Sequence, residues 1–418
     1  MKHLEKKIKV PQNYLKLVAS SIPSRIFWWS FVLLLVIHCI ENTSVIYSDA
    51  VWLRGVYLFR NFLYLVLLVK ICLLSVFRKN ELVCVILIGV AGLGSVLGSG
   101  DFGLLEYFII MLAAREESPR RLVAVFAMIK GAAIIITLFL WRIGVLAAMY
   151  YQDDKVGYYN TYGFCHRNVL AANVTVLCFA WFYLRYKSLQ LWDVIVWTVI
   201  ALITFRYAIS RTGMIVIFLV IFGIFFVRKK RGWILKVPYF RTVLLVGFVA
   251  MLLVSVLGTL LYSDHSAFWN FIDNIFTKRF RYANYCFNQF GLSFFGQKIP
   301  FVSSMEAQTS DTAKLILDNS FMRALLYYGM IPGGLFLAIY FKALYHSLKN
   351  KNEKLAVCLF IFAVYGLSER YMLDAYYQFP LWIAWNKYFF KKKGVVVEER
   401  KTFVEYLLEM FRFCKGKM

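Results

Sequence analysis

Long apolar runs separated by short charged connections dominate this sequence. A helix needs roughly 20 mostly apolar residues to cross the hydrocarbon core of a bilayer, and backbone polar groups cannot stay unpaired in lipid. The sequence therefore predicts an all-α, polytopic bundle of about 12 transmembrane helices. The runs lie near residues 26–42, 52–77, 81–98, 102–114, 121–147, 168–186, 190–209, 213–227, 242–262, 319–345, 354–370 and 374–390.

The charge balance supports a membrane protein and argues against nucleic acid as a partner. Only 17% of the 418 residues are charged and 61% are hydrophobic, whereas about a quarter of a soluble domain is charged. The formal net charge is +25, but the Lys and Arg residues form short clusters between apolar runs rather than one basic face. Such clusters are typical of the cytoplasmic connections of a membrane protein.

The basic clusters occupy every second connection, which predicts a cytoplasmic N-terminus. The alternate connections are richer in Tyr, Asn, Gly and Ser and are predicted to face outward. The expected organisation is a cytoplasmic segment (1–25), a first bundle of nine helices (26–262), a large extracytoplasmic loop (263–318), three further helices (319–390) and a basic cytoplasmic tail (391–418).

Arginines near the predicted outer face are the most informative residues. Arg206 and Arg211 interrupt apolar sequence, where charge is unfavourable unless it is used. The full set near that face comprises Arg54, Arg167, Arg206, Arg211, Arg279, Arg281, Arg323 and Arg370. Guanidinium groups suit phosphate oxygens, so an anionic ligand on the outer side would account for them. Pairing with outward carboxylates is the structural alternative for each.

Three further positions combine a proton-accepting group with a basic neighbour. His166 precedes Arg167 at a loop-to-helix junction, Asp318 and Asn319 lie about one helical turn before Arg323, and Glu369 precedes Arg370. A carboxylate or imidazole in such a place could orient or deprotonate a hydroxyl. Helix capping alone would also explain His166 and the Asp318–Asn319 pair.

Two other features carry no chemistry. The glycines of "GVAGLGSVLGSG" lack the GxGxxG spacing of a dinucleotide loop and predict close packing of helices instead. The eight cysteines show no CxxC pairing, so neither a metal site nor a disulfide framework is predicted.

Taken together, "GFCHRN", "SRTG", "FTKRFRYANYCFNQFGLSFFGQ", "DNSFMRALLYYGMIPGGL" and "GLSER" follow one another between residues 160 and 372. In this order they resemble the integral-membrane O-antigen and capsular polysaccharide polymerases (Wzy-type), relatives of the O-antigen ligases. The resemblance implies transfer of oligosaccharide repeat units from undecaprenyl pyrophosphate to an acceptor glycan, at the outer face of the bacterial cytoplasmic membrane. It implies no metal and no cofactor. A chain-length regulator and a flippase are candidate partners.

The resemblance also implies roles for single residues. Arg211 is the first choice for stabilising the leaving pyrophosphate, and Asp318 is the preferred base, with His166 and Glu369 as rivals. The remaining residues expected to bind pyrophosphate or glycan are Arg206, Arg279, Arg281, Arg167, Arg323 and Asn319.

Two departures from the pattern shape this interpretation. Arg167 stands where many relatives have Pro, and the pair Asp318–Asn319 stands where ligases have a histidine next to the asparagine. The second departure favours a polymerase over a ligase. A transporter of lipid-linked glycans, or flippase, is the alternative from another class, although the polar residues gather at one face and no paired repeat is evident.

Overall fold

Helices make up most of the protein. The computed structural model describes residues 12–48, 51–153, 157–229, 238–302, 315–386 and 401–405. The predicted N-terminal segment is thus described from residue 12, and the predicted basic tail only at 401–405; the rest of both lies outside the described residues. Up to residue 260 the helices are α1 (Gln12–Glu41), α2 (Val51–Val69), α3 (Lys79–Ser99), α4 (Gly103–Ala113), α5 (Pro119–Arg142), α6 (Arg167–Arg185), α7 (Leu191–Ala208), α8 (Arg211–Lys229) and α9 (Pro238–Leu260).

The second part of the chain has mostly shorter helices. They are α10 (Ala267–Ile275), α11 (Arg279–Phe290), α12 (Ser320–Leu326), α13 (Met330–Lys349), α14 (Glu353–Gly366) and α15 (Phe379–Ala384). Within the described residues, four short strands form two antiparallel pairs: β1 (Val76–Phe77) with β4 (Lys401–Thr402), and β2 (Tyr150–Asp153) with β3 (Gly157–Asn160). The predicted large loop thus contains two helices, α10 and α11, within its described residues.

Seven helices among the described residues are long and apolar enough to cross a membrane. They correspond to α1, α2, α3, α5, α6, α7 and α9, and each falls within or close to a predicted run. The protein is therefore an all-α membrane bundle. The other five predicted runs coincide with shorter or more polar helices, so the count of about twelve crossings stays a prediction.

One of those runs, predicted as a crossing over 102–114, forms the short and almost fully buried helix α4, so its crossing stays a prediction. Almost every side chain of α4 is buried, including Leu104, Tyr107 and Phe108, and the Tyr107 hydroxyl donates to the Gln378 carbonyl oxygen at 3.0 Å. A helix that is hydrophobic all round packs inside a protein. An apolar run of 10 to 14 residues is more often a core helix than a crossing.

The connections sort to two ends of the bundle as the alternation of charge predicts. At one end, the Cys165 amide donates to the Asn42 carbonyl oxygen at 2.9 Å, and the Ser44 amide to that of Gly163 at 2.8 Å. Both pairs join connections that are predicted to face outward. At the opposite end, Arg115 pairs with Glu81, which joins two connections that are predicted to be cytoplasmic.

The glycines of α3 provide space for two different neighbours. A Cβ on Gly92 would lie 2.9 Å from a Leu105 methyl of α4, which confirms close helix packing at this position. A Cβ on Gly94 would meet the Phe295 ring at 2.5 Å, and one on Gly98 would meet the Gly296 carbonyl oxygen at 2.6 Å. These two glycines therefore seat the segment that follows α11 against the membrane bundle.

Candidate functional site

The start of α11 is held by a carboxylate of α10 and packs against the end of α9. Both the Phe280 and Arg281 amides donate to Asp273 Oδ1, at 2.9 and 3.2 Å. A carboxylate at a helix N-terminus satisfies free amides and complements the helix dipole. The Phe280 ring also fills the space left by Gly258, where a Cβ would lie 2.5 Å away. Arg279, at the first position of α11, is held in one place as a result.

Arg279 is the centre of a buried ionic cluster. Its Nη1 lies 2.6 Å from Asp318 Oδ2 and its Nη2 lies 3.4 Å from Glu369 Oε1. Its Nε donates to the Ser368 carbonyl oxygen at 2.7 Å. The residue is 8% exposed. A buried guanidinium is stable only when it is paired and hydrogen-bonded in this way.

Asn319 explains why the neighbouring Asp318 is available to Arg279. Its Oδ1 accepts the Met322 amide at 3.0 Å, so Asn319, rather than Asp318, caps α12. Its Nδ2 donates to Ser255 Oγ and to the Leu367 carbonyl oxygen, both at 3.0 Å. Asn319 thus joins α9, α12 and the end of α14, and has a structural role.

Glu369 is the more buried of the two carboxylates. Its side chain is 7% exposed, against 22% for Asp318. Burial raises the pKa of Glu369 to about 7; the Arg279 charge opposes this shift and the Asp318 charge adds to it. Near neutral pH Glu369 is therefore able to gain or lose a proton, whereas Asp318 is the carboxylate that a ligand can reach.

A cavity of about 200 Å³ adjoins this cluster. Arg370 connects the two, because it follows Glu369, interacts electrostatically with Asp318 and lines the cavity as an exposed side chain. Arg323 lines it as well, with its guanidinium carbon 4.6 and 4.9 Å from the ring centres of Phe301 and Tyr327. The cavity is lined by His38, Glu41, Arg60, Asp101, Gly103, Glu106, Arg323, Tyr328, Arg370, Leu373, Asp374, Ala375 and Tyr376.

The lining of the cavity contains a second ionic group that the sequence interpretation missed. Arg60 pairs with Glu41 at 2.9 Å and with Glu106 at 3.6 Å, and the Tyr64 hydroxyl donates to Glu106 at 3.0 Å. The rule applied to Arg206 and Arg211 would have found it, since Arg60 also interrupts an apolar run. Arg60 has two carboxylates within 4 Å, whereas Arg370 is exposed and interacts electrostatically with Asp318 and Asp374. Arg370 is therefore the cation best placed to receive a ligand's negative charge, and Arg323, which is buried and donates to the Leu317 carbonyl oxygen at 3.3 Å, is the second such cation in the lining.

The structure does not bring all the predicted arginines to this cavity. Arg206, at the end of α7, and Arg211, at the start of α8, are exposed and are not among its lining residues. No carboxylate of the described residues lies within ion-pair distance of either. Arg281 is about half exposed and lies 3.4 Å from Asp264, itself exposed. The roles predicted for these three arginines stay predictions.

His166 and Arg167 lie at the start of α6. His166 Nδ1 accepts the Asn168 amide at 3.1 Å, so the imidazole caps the helix. The guanidinium of Arg167 lies 3.9 Å from the centre of the Tyr159 ring. Neither residue lines the cavity, and the capping contact matches the structural interpretation of His166.

Metal-ligating residues are not clustered in the described part of the chain, where no group of three or more His, Cys, Asp or Glu residues is arranged to hold a metal ion.

Comparison of the chain with protein-family models, curated proteins and solved structures finds no match. The function is therefore inferred from the site and its chemistry.

Proposed function

We propose that this protein is a polysaccharide polymerase, a metal-independent glycosyltransferase of the bacterial cytoplasmic membrane. It would transfer oligosaccharide repeat units from undecaprenyl pyrophosphate to an acceptor glycan at the extracytoplasmic face. The multi-pass bundle of about twelve crossings and the outward position of residues 263–318 belong to this proposal. The observation that carries it is the cavity at one end of the bundle, where Arg323 and Arg370 lie beside the Arg279–Asp318–Glu369 cluster.

The ligand that best fits these cations is a membrane-borne diphosphate. Two guanidinium groups at a cavity in a membrane bundle match the geometry and charge of phosphate oxygens. As the bond between the anomeric carbon and the pyrophosphate oxygen breaks, negative charge grows on that oxygen. Preplaced cations stabilise this charge more in the transition state than in the ground state. We assign this role to Arg370 and Arg323.

The carboxylates would act on the acceptor. Its sugar hydroxyl attacks the anomeric carbon, undecaprenyl pyrophosphate leaves, and the hydroxyl proton passes to a carboxylate as the new glycosidic bond forms. Asp318 is the preferred proton acceptor because it is the more accessible of the pair. Arg279 contacts both carboxylates, so its role here is to orient them rather than to bind pyrophosphate.

The test is the length distribution of surface polysaccharide in cells that carry single variants. Asp318→Asn and Arg370→Gln should abolish long chains while single repeat units still reach the surface, because transfer is lost but export is not. Arg142→Gln, which removes an exposed cation at the end of α5 that does not line the cavity, is the control and should keep the wild-type distribution. Arg211→Ala tests the assignment made from the sequence.

Other outcomes point to other functions. Repeat units trapped on the cytoplasmic leaflet would indicate a flippase. Normal polymer that is not attached to its terminal acceptor would indicate a ligase. Normal polymer, fully attached, in both Asp318→Asn and Arg370→Gln would contradict the proposed site.

A further inference from the structure

Helix α10 exposes an apolar face to its surroundings. Phe268, Phe271 and Ile275 are 63%, 66% and 60% exposed, and their spacing of three and four residues places them on one side of the helix. Asp273, on the other side, is buried and caps α11. The helix is therefore amphipathic, with its polar side toward the protein.

The position of α10 in the chain indicates what covers this face. The apolar stretch of α9 ends at Leu260, and α10 begins at Ala267. The six connecting residues span at most about 20 Å, and the Tyr262 hydroxyl, two residues after the end of α9, donates to Asn270 Oδ1 of α10 at 3.3 Å. Helix α10 therefore lies beside the end of α9. Leu257, Leu260 and Leu261 are 48%, 45% and 58% exposed and extend the lipid-facing surface of α9 toward α10.

The charged residues after α10 also fit a membrane surface. Lys278 and Arg281 are exposed within six residues of its end. Cations at this depth are attracted to anionic phospholipid headgroups, while the Phe and Ile side chains fit the boundary between headgroups and acyl chains.

We infer that α10 is an interfacial helix that lies in the outer surface of the bilayer, with Phe268, Phe271 and Ile275 among the lipids. Its partner is anionic phospholipid. Asp273 joins this helix to the first turn of α11 through the Phe280 and Arg281 amides. Lipid contact with α10 would thereby set the position of Arg279 relative to the bilayer, so Asp273 is a positioning residue.

Photocrosslinking of the full-length protein in nanodiscs that contain phosphatidylglycerol tests this inference. p-Benzoylphenylalanine replaces Phe271 in one sample and, in the control, Asn288, an exposed residue of α11. After irradiation, intact mass measurement should show phospholipid adducts many times more abundant at position 271 than at 288. Equal adduct yields at the two positions, or adducts with a second protein chain at 271, would overturn the inference.

A pair of charge substitutions tests the link to the site, and this arm rests on the proposed function. Phe271→Asp adds a charge to the lipid face, whereas Asn274→Asp adds the same charge to an exposed polar position of the same helix. Phe271→Asp should shorten the surface polysaccharide. Phe271→Trp, which keeps an aromatic side chain, and Asn274→Asp should both keep the wild-type polymer length. Equal polymer lengths in the two Asp variants would overturn the link.

The two arms fail separately. The crosslinking result does not depend on any reaction. Absence of a lipid adduct at position 271 would therefore contradict the interfacial position of α10, whatever the polymer length. Failure of the wild-type protein to make polymer would contradict the proposed function but would not affect the inferred lipid contact of α10.

Discussion

Replacing Arg279 with glutamine should destabilise the protein far more than the same change two residues away. Arg279 is 8% exposed and contacts two carboxylates. Removing one partner of a buried ionic group leaves uncompensated buried charge, which costs about 3–5 kcal/mol. Arg281 also has a carboxylate partner, Asp264, but both side chains are more than half exposed, and such pairs contribute about 0–1 kcal/mol. Arg279→Gln and Arg281→Gln remove the same charge from one helix and differ mainly in burial.

Thermal unfolding in detergent, followed by intrinsic fluorescence, compares the two variants at one pH and salt concentration. Arg279→Gln should lower the apparent melting temperature several times more than Arg281→Gln. Adding Asp318→Asn to Arg279→Gln should recover part of the loss, because the carboxylate that lies 2.6 Å from the guanidinium is then replaced by a neutral group. Equal losses for the two single variants, or a double variant less stable than Arg279→Gln, would refute the interpretation of the cluster as a buried ionic network.

Three further predictions follow from the site. Burial raises the folded-state pKa of Glu369 to about 7 from an ordinary 4.5, so its contribution to stability is present below pH 4.5 and is lost as the pH rises to about 7. Across this pH range the melting temperature should fall less steeply in Glu369→Gln than in the wild-type protein. Identical slopes for the two proteins would contradict the assignment. Asn319→Ala should destabilise the protein by about 1–3 kcal/mol, because two buried partners, Ser255 Oγ and the Met322 amide, lose their hydrogen bonds. In the control, Asn288→Ala removes an exposed side chain and should change stability by less than about 0.5 kcal/mol. The melting temperatures of the two variants test this difference. Chelation of divalent cations with EDTA should leave polymer formation by the purified protein unchanged, and a loss that Mg²⁺ or Mn²⁺ restores would contradict a metal-independent reaction.

The membrane bundle was largely predictable because its cause is local. A run of about twenty apolar residues specifies a crossing whatever its neighbours, and α7 (Leu191–Ala208) matches the predicted 190–209 closely. The short run at 102–114 forms α4, and its burial depends on the helices packed around it, which the sequence of the run does not specify.

The candidate site was less predictable because it depends on tertiary contacts. The sequence marked Arg279, Asp318 and Glu369 as candidates, but it could not show that a single guanidinium contacts both carboxylates. It also ranked Arg211 above Arg370. Both residues lie near predicted outer ends of helices, and only the folding of the chain between α14 and α15 brings Arg370 to the cavity.

The most direct measurement of the central claim is a reaction with purified components. The full-length protein in nanodiscs is mixed with undecaprenyl-pyrophosphate-linked repeat units extracted from the organism that encodes it, without nucleotide sugar. The proposed function predicts a ladder of longer lipid-linked glycans and release of undecaprenyl pyrophosphate, both lost in Asp318→Asn and in Arg370→Gln. Absence of elongation by the wild-type protein, or an undiminished ladder in both variants, would contradict it.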